Sequence, residues 1–248
     1  FEGAVQVVDL TQATQGEAIL DLRRIPTASS SLTPSRIAPE SLPGQRPSAN
    51  AEAQQAVKQG QNLLFRQHDL PGSIEQFKKA VKLDPWYGQG YMLLGLAQME
   101  SQDWGDAQYA FEEAAKVEPG NDRAFLGVGS ALNQQGKYAE AEKVLEHSLE
   151  LKPDSAEGHY ELARSLASSG KWEAAEPHAQ RASELNSEYA GPHALLGNIY
   201  LQQEDAASAL AQFKEYLRLA PQGSLAPSVR ETVTQLEAAL AEAEKKGR

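Results

Sequence analysis

An all-α solenoid of about five helix-turn-helix units is the fold class this sequence predicts, with a C-terminal capping helix and a short β-hairpin-like segment ahead of it. Three observations predict it. Pro85, Pro119 and Pro153 stand 34 residues apart, and Pro221 follows two such steps on, with Ser187 at the intervening mark. Ala107, Ala141, Ala175 and Ala209 keep the same 34-residue step, as do the apolar places Phe77, Phe111, Leu145, Ala179 and Phe213. So do the pairs Leu94-Gly95, Val128-Gly129, Leu162-Ala163 and Leu196-Gly197. A fixed period over this length decides architecture ahead of any local propensity.

The period has a physical reading. Each unit holds two amphipathic segments of about a dozen residues with a short polar turn between them. The small residue after a large one, as at Leu94-Gly95, lets two helices approach closely. The alanine in the second helix does the same from the other side, and the phenylalanine or leucine four residues beyond it fills the space between units. The proline ends the second helix. One helical pair cannot bury its apolar face alone, so the pairs must stack. With Leu-Gly, Ala, Phe and Pro recurring in register, the chain resembles the tetratricopeptide repeat family. The resemblance implies a right-handed superhelix with the first helix of each unit on its concave side.

Taken in order, residues 1–25 lie outside the period. Val5, Val7 and Leu10, then Ala18 to Leu22 and Ile25, alternate around the turn-forming stretch 11–16, which predicts two strands. An isolated hairpin is marginal in water. The segment is therefore expected to be the tail of a β-domain, and it resembles the end of the carboxypeptidase-regulatory type of β-sandwich. The bacterial proteins that join such a sandwich to these repeats are extracytoplasmic, so the resemblance favours a periplasmic or secreted setting over a cytoplasmic one, while the absence of cysteine fits either. The alternative is a disordered or swapped arm. Residues 26–50 read as a linker: Pro26, Pro34, Pro39, Pro43 and Pro47 are interleaved with serines, and Leu32, Ile37 and Leu42 are its large apolar residues. It is either a solvated tether or a strand of chain lying on the protein's own surface.

The repeats span 51–221. Helices are predicted at 51–67 and 73–83, 88–101 and 105–118, 122–135 and 139–151, 156–169 and 173–185, and 191–203 and 207–219. The first unit carries one extra residue, placed in the loop 68–72. Gly136 and Gly170 stand where C-terminal caps are expected. Asp122, and Asp154 or Ser155, are candidate N-caps. Residues 222–248 hold the capping helix, predicted from Pro227 with the stripe Val229, Val233, Leu236, Leu240 and Ala243.

Composition narrows function. The net charge is −11, from 34 acidic against 23 basic residues, which argues against a nucleic-acid partner. There is no cysteine, hence no disulfide and no thiolate metal site. No run reaches the ~18 apolar residues of a membrane span. Gly127 and Gly129 give only G-x-G within a helical stretch. His159 and His193 take the place held by Tyr91 and Phe125 in earlier units, so they are expected to pack as flat side chains; the other reading is a metal pair between successive units. Glu112-Glu113 falls on an outward face. No catalytic constellation, cofactor site or metal site is expected.

The binding reading rests on the concave wall. Mapped from the resemblance, the inward residues are Lys58 and Gln61; Gln89, Met92, Leu93, Leu96 and Met99; Arg123, Leu126, Ser130 and Asn133; Glu157, Tyr160, Glu161 and Arg164; and Leu195, Asn198 and Leu201. Met92, Leu93, Leu96 and Met99 are large apolar residues the repeat does not require, and methionine adapts to varied partners. Gly127 is expected to leave bare backbone where a ligand approaches. Burial under the first unit or the linker is the competing reading for the methionine stripe. Some tetratricopeptide proteins hold chaperone tails with a clamp of lysines, asparagines and an arginine; this chain has only Lys58, Arg123 and Arg164 inward and apolar residues in unit two, so it departs from that pattern. The expected function is a non-enzymatic scaffold holding a partner's peptide or helix of apolar or mixed character in the groove, without nucleic-acid binding or membrane insertion. The alternative is a spacer or self-association module whose groove is filled by its own linker or a second copy.

Overall fold

The computed structural model describes residues 50–246. Among the described residues there are eleven α-helices and no strand: α1 (Ala51–Asn62), α2 (Leu70–Leu83), α3 (Gly88–Glu100), α4 (Trp104–Val117), α5 (Asp122–Gln134), α6 (Tyr138–Leu151), α7 (Ala156–Ser168), α8 (Trp172–Leu185), α9 (Ala190–Gln202), α10 (Ala206–Leu219) and α11 (Ala226–Lys246). The expected strand pair at 1–25 and the linker up to residue 49 lie outside the described residues.

Every helix packs on the next one in sequence, and beyond these neighbours α3 touches α5, α5 touches α7 and α7 touches α9. The first helices of successive units thus approach one another directly and line the inside of the solenoid's curve, as a stack of helical pairs requires. The periodic residues build the stack. Phe77, Phe111, Leu145, Ala179 and Phe213 are fully buried. A Cβ on Gly95 would come 2.7 Å from the Phe111 ring, one on Gly129 2.4 Å from Leu145, and one on Gly197 2.5 Å from Phe213. Real Cβ contacts are never that close, so glycine at this place is what lets the large side chain of the second helix seat against the first.

The turns inside the units share one geometry. His68, Gln102, Gly136, Gly170 and Glu204 stand 34 residues apart, and all five have positive φ, from 55° at His68 to 77° at Gly170. Glycine adopts this region freely and L-residues pay about 1–2 kcal/mol for it. Nothing lies within 4 Å of a Cβ on Gly136, so only backbone strain opposes a side chain there. Gln102→Gly is accordingly expected to raise stability by about 0.5–1 kcal/mol, and Gly136→Ala to lower it by about 1 kcal/mol, in thermal melts.

Several boundaries differ from the sequence expectation. The extra residue of the first unit is not in the 68–72 loop: α1 continues as one π-helical stretch, Leu63–Gln67, and His68 closes it in the left-handed region. A π turn takes up one residue without breaking the helix. α2 therefore begins at Leu70, with Asp69 accepting a bond from the Gly72 amide. The second helices of the later units start one residue early, at Trp104, Tyr138, Trp172 and Ala206. Asn121, not Asp122, caps α5, accepting from the Arg123 amide, while Ser155 caps α7 as expected. α11 packs on α10 with Val229, Val233 and Leu236 buried beside Leu225 and Ala226, Leu240 half-buried and Ala243 exposed.

Candidate interaction site on the inner wall

The structure divides the expected wall residues into three groups. Lys58 and Arg123 are exposed. Gln61, Gln89, Met92, Met99, Ser130, Glu157 and Leu201 are half-buried. Leu93, Leu96, Leu126, Gly127, Asn133, Tyr160, Glu161, Arg164, Leu195 and Asn198 are buried.

Packing explains most of the last group. Leu93 belongs to the core of the first two units, with Ala56, Val57, Phe77 and Ala110 around it, so it faces the preceding unit and not the groove. Leu96 and Leu126 join the central core with Phe111, and Met92 and Met99 pack against that core while keeping part of their surface free. The two methionines are seven residues apart on α3 and so share one helix face. Gly127 does not offer bare backbone to a ligand. A Cβ on it would lie 2.6 Å from the Phe111 ring, so its missing side chain is accounted for by the neighbouring unit's phenylalanine.

Tyr160, Glu161, Arg164 and Asn133 satisfy one another. The Arg164 Nη1 donates to both Glu161 carboxylate oxygens at 2.9 Å. Asn133 Nδ2, from α5, donates to Glu161 Oε2 at 2.9 Å and to the Glu161 carbonyl at 3.0 Å. Ser165 Oγ donates to Asn133 Oδ1 at 2.6 Å. The guanidinium lies 5.8 Å over the Tyr160 ring, which meets Tyr189 edge to face at 5.0 Å and sits under the backbone of Gly191. Burial works against the Arg164 charge, but Glu161 beside it and the two tyrosines outweigh that, and its pKa is raised further. The opposite charges of Glu161 and Arg164 cancel, so the buried pair adds no net charge to this part of the wall. Ser165 and Tyr189 were missed by the sequence reading. Ser165 carried a signal: the same place is Ala97, Ala131 and Ile199 in the other units, and a lone hydroxyl in an apolar register needs a partner.

On α1, α3 and α5 the expected wall residues Lys58 and Arg123 are exposed and Gln61, Gln89, Met92, Met99 and Ser130 half-buried; further along, Glu157 on α7 and Leu201 on α9 are half-buried too. By contrast, α7 is buried at every residue from 160 to 167. Among the described residues no helix is long and apolar enough to cross a membrane.

A solenoid of helical pairs with first helices inward and a 34-residue step defines a class of repeat protein, and comparison with known families agrees. Residues 92–156 and 160–224 match one tetratricopeptide repeat profile, and residues 132–185 match a second. The chain belongs to the tetratricopeptide repeat family. Among solved structures it is similar to MamA (41-end) from Desulfovibrio magneticus RS-1, with 21% identity, a TM-score of 0.62, and coverage of 70% of this chain and 98% of that one. TTC0263, a thermophilic tetratricopeptide protein of Thermus thermophilus, has 19% identity and a TM-score of 0.60, covering 73% and 99%. YrrB, described as a TPR protein with an unusual peptide-binding site, has 21% identity and a TM-score of 0.54, covering 74% and 100%. At such identities the likeness shows the fold alone. No curated protein sequence matches the chain.

Proposed function

We propose that this chain is a non-enzymatic scaffold that holds a segment of a partner protein, apolar or mixed in character, against α1, α3 and α5. The observation that carries the reading is the pair Met92 and Met99, half-buried on one face of α3, with Lys58 exposed on α1 and Arg123 exposed on α5. Full burial of a methionine by a ligand contributes roughly 1.5–3 kcal/mol, and methionine repacks to fit different occupants. Family membership supports a protein partner, and YrrB, a protein of this fold, has a peptide-binding site.

The test is a peptide selected by display on the full chain. Met92→Gln/Met99→Gln is expected to weaken it at least about tenfold while helical content and melting stay close to the parent's. Unchanged affinity in the double variant would sink the groove reading.

A second reading keeps the alternative of the sequence, in which residues 26–49, with Leu32, Ile37 and Leu42, or a second copy fill the wall. On this reading a chain starting at residue 50 binds the selected peptide more tightly than the full chain, or light scattering gives a mass that rises with concentration. Equal affinities and a constant monomer mass would leave the first reading alone.

A further inference from the structure

In the fourth unit, α7 and α8 are joined by two imidazoles. His159 Nδ1 lies 3.0 Å from His178 Nδ1, with ring centroids 5.2 Å apart and planes inclined by 29°. The rings therefore meet nitrogen to nitrogen. His159 Nε2 lies 3.0 Å from the Pro153 carbonyl oxygen. A carbonyl only accepts, so Nε2 carries the hydrogen, and in neutral His159 the Nδ1 lone pair is free to accept from His178 Nδ1–H. One period on, His193 and Gln212 hold the same two places, with His193 Nδ1 2.8 Å from Gln212 Oε1. One period earlier the places are Phe125 and Val144. Of these three units, only the fourth presents two ring nitrogens to one point.

We propose that His159 and His178 chelate one divalent transition-metal ion of the kind that favours imidazole, such as Zn2+, bridging the two helices of the fourth unit. Zn–N bonds of about 2.0–2.1 Å put two nitrogens of one ion about 3.3 Å apart in a tetrahedron and about 2.9 Å apart at a right angle. The observed 3.0 Å falls between these values. Each ring has to turn by roughly 35–40° for the lone pairs to converge on a tetrahedral ion. His178 moves its hydrogen to Nε2, so no proton is lost overall. In the chain as it stands, the bond from His159 Nε2 to the Pro153 carbonyl fixes the tautomer that leaves Nδ1 for the ion. Both side chains are half-buried, so water can complete the coordination. The sequence offered His159 with His193 across two units; the geometry pairs His159 with His178 within one.

The experiment titrates the chelator-treated full chain with zinc chloride at pH 7.5, following heat and the histidine ring signals by NMR. One equivalent is expected to bind and to move the His159 and His178 signals together. His178→Gln recreates the His193–Gln212 contact one unit earlier, so it is expected to keep the parent's melting temperature and to bind at least about tenfold more weakly. His159→Phe, which copies the residue of the third unit, is the second variant. His193→Gln is expected to bind zinc like the parent. Absence of binding, binding that survives in both His178→Gln and His159→Phe, or binding lost in His193→Gln overturns the proposal.

Discussion

Phe111→Ala is expected to cost about 3–5 kcal/mol and to split the unfolding transition in two. The ring is fully buried, and it occupies space reserved for it by glycines in two different units: Gly95 of its own unit and Gly127 of the next, whose added Cβ atoms would lie 2.7 and 2.6 Å from it. Removing it opens one cavity across both helix interfaces. Repeat arrays are held by unit stabilities plus nearest-neighbour interfaces, so weakening one interface uncouples the units on either side. Urea melts followed by circular dichroism check this: a lower midpoint with a shallower or two-step transition is expected, and a loss under about 1 kcal/mol with unchanged cooperativity would contradict it.

Glu161→Gln is expected to cost about 3 kcal/mol, because it leaves Arg164 buried without a counter-charge. The carboxylate also accepts from Asn133 on the preceding unit, so the substitution loosens α5 from α7 as well. The double variant Glu161→Gln/Arg164→Met removes both charges and keeps the volume. It is expected to recover most of the loss, since apolar replacement of a buried pair is often neutral or better. Losses that simply add in the double variant would show that the pair does not act as a unit.

The repeat was legible because it is redundant: each large residue, each glycine and each proline recurs, so an error at Ala179 or Ser187 did not hide the period. The π turn at Leu63–Gln67 was not legible, since one extra residue can be absorbed in a helix or in a loop with equal economy of sequence. The inner wall was legible only in part. Mapping by register found Met92 and Met99 but set Leu93 and Gly127 beside them, although both are consumed by packing against neighbouring units. Register gives the direction of a side chain from its own helix; it does not say how near the next unit comes on that side. The Asn133–Glu161–Arg164 group shows the same limit, because polar residues facing a groove and polar residues facing one another look alike in sequence.

The chain contains two methionines, Met92 and Met99, and both lie on the proposed floor of the groove. Methyl NMR of the full chain labelled at methionine therefore reads the binding surface with two signals and no assignment problem elsewhere. Addition of the selected peptide is expected to shift both signals in step, saturating at one peptide per chain, and to do so equally in a Tyr109→Gln variant, whose change lies on an exposed part of α4. Saturable binding that leaves both methyl signals in place would contradict the account.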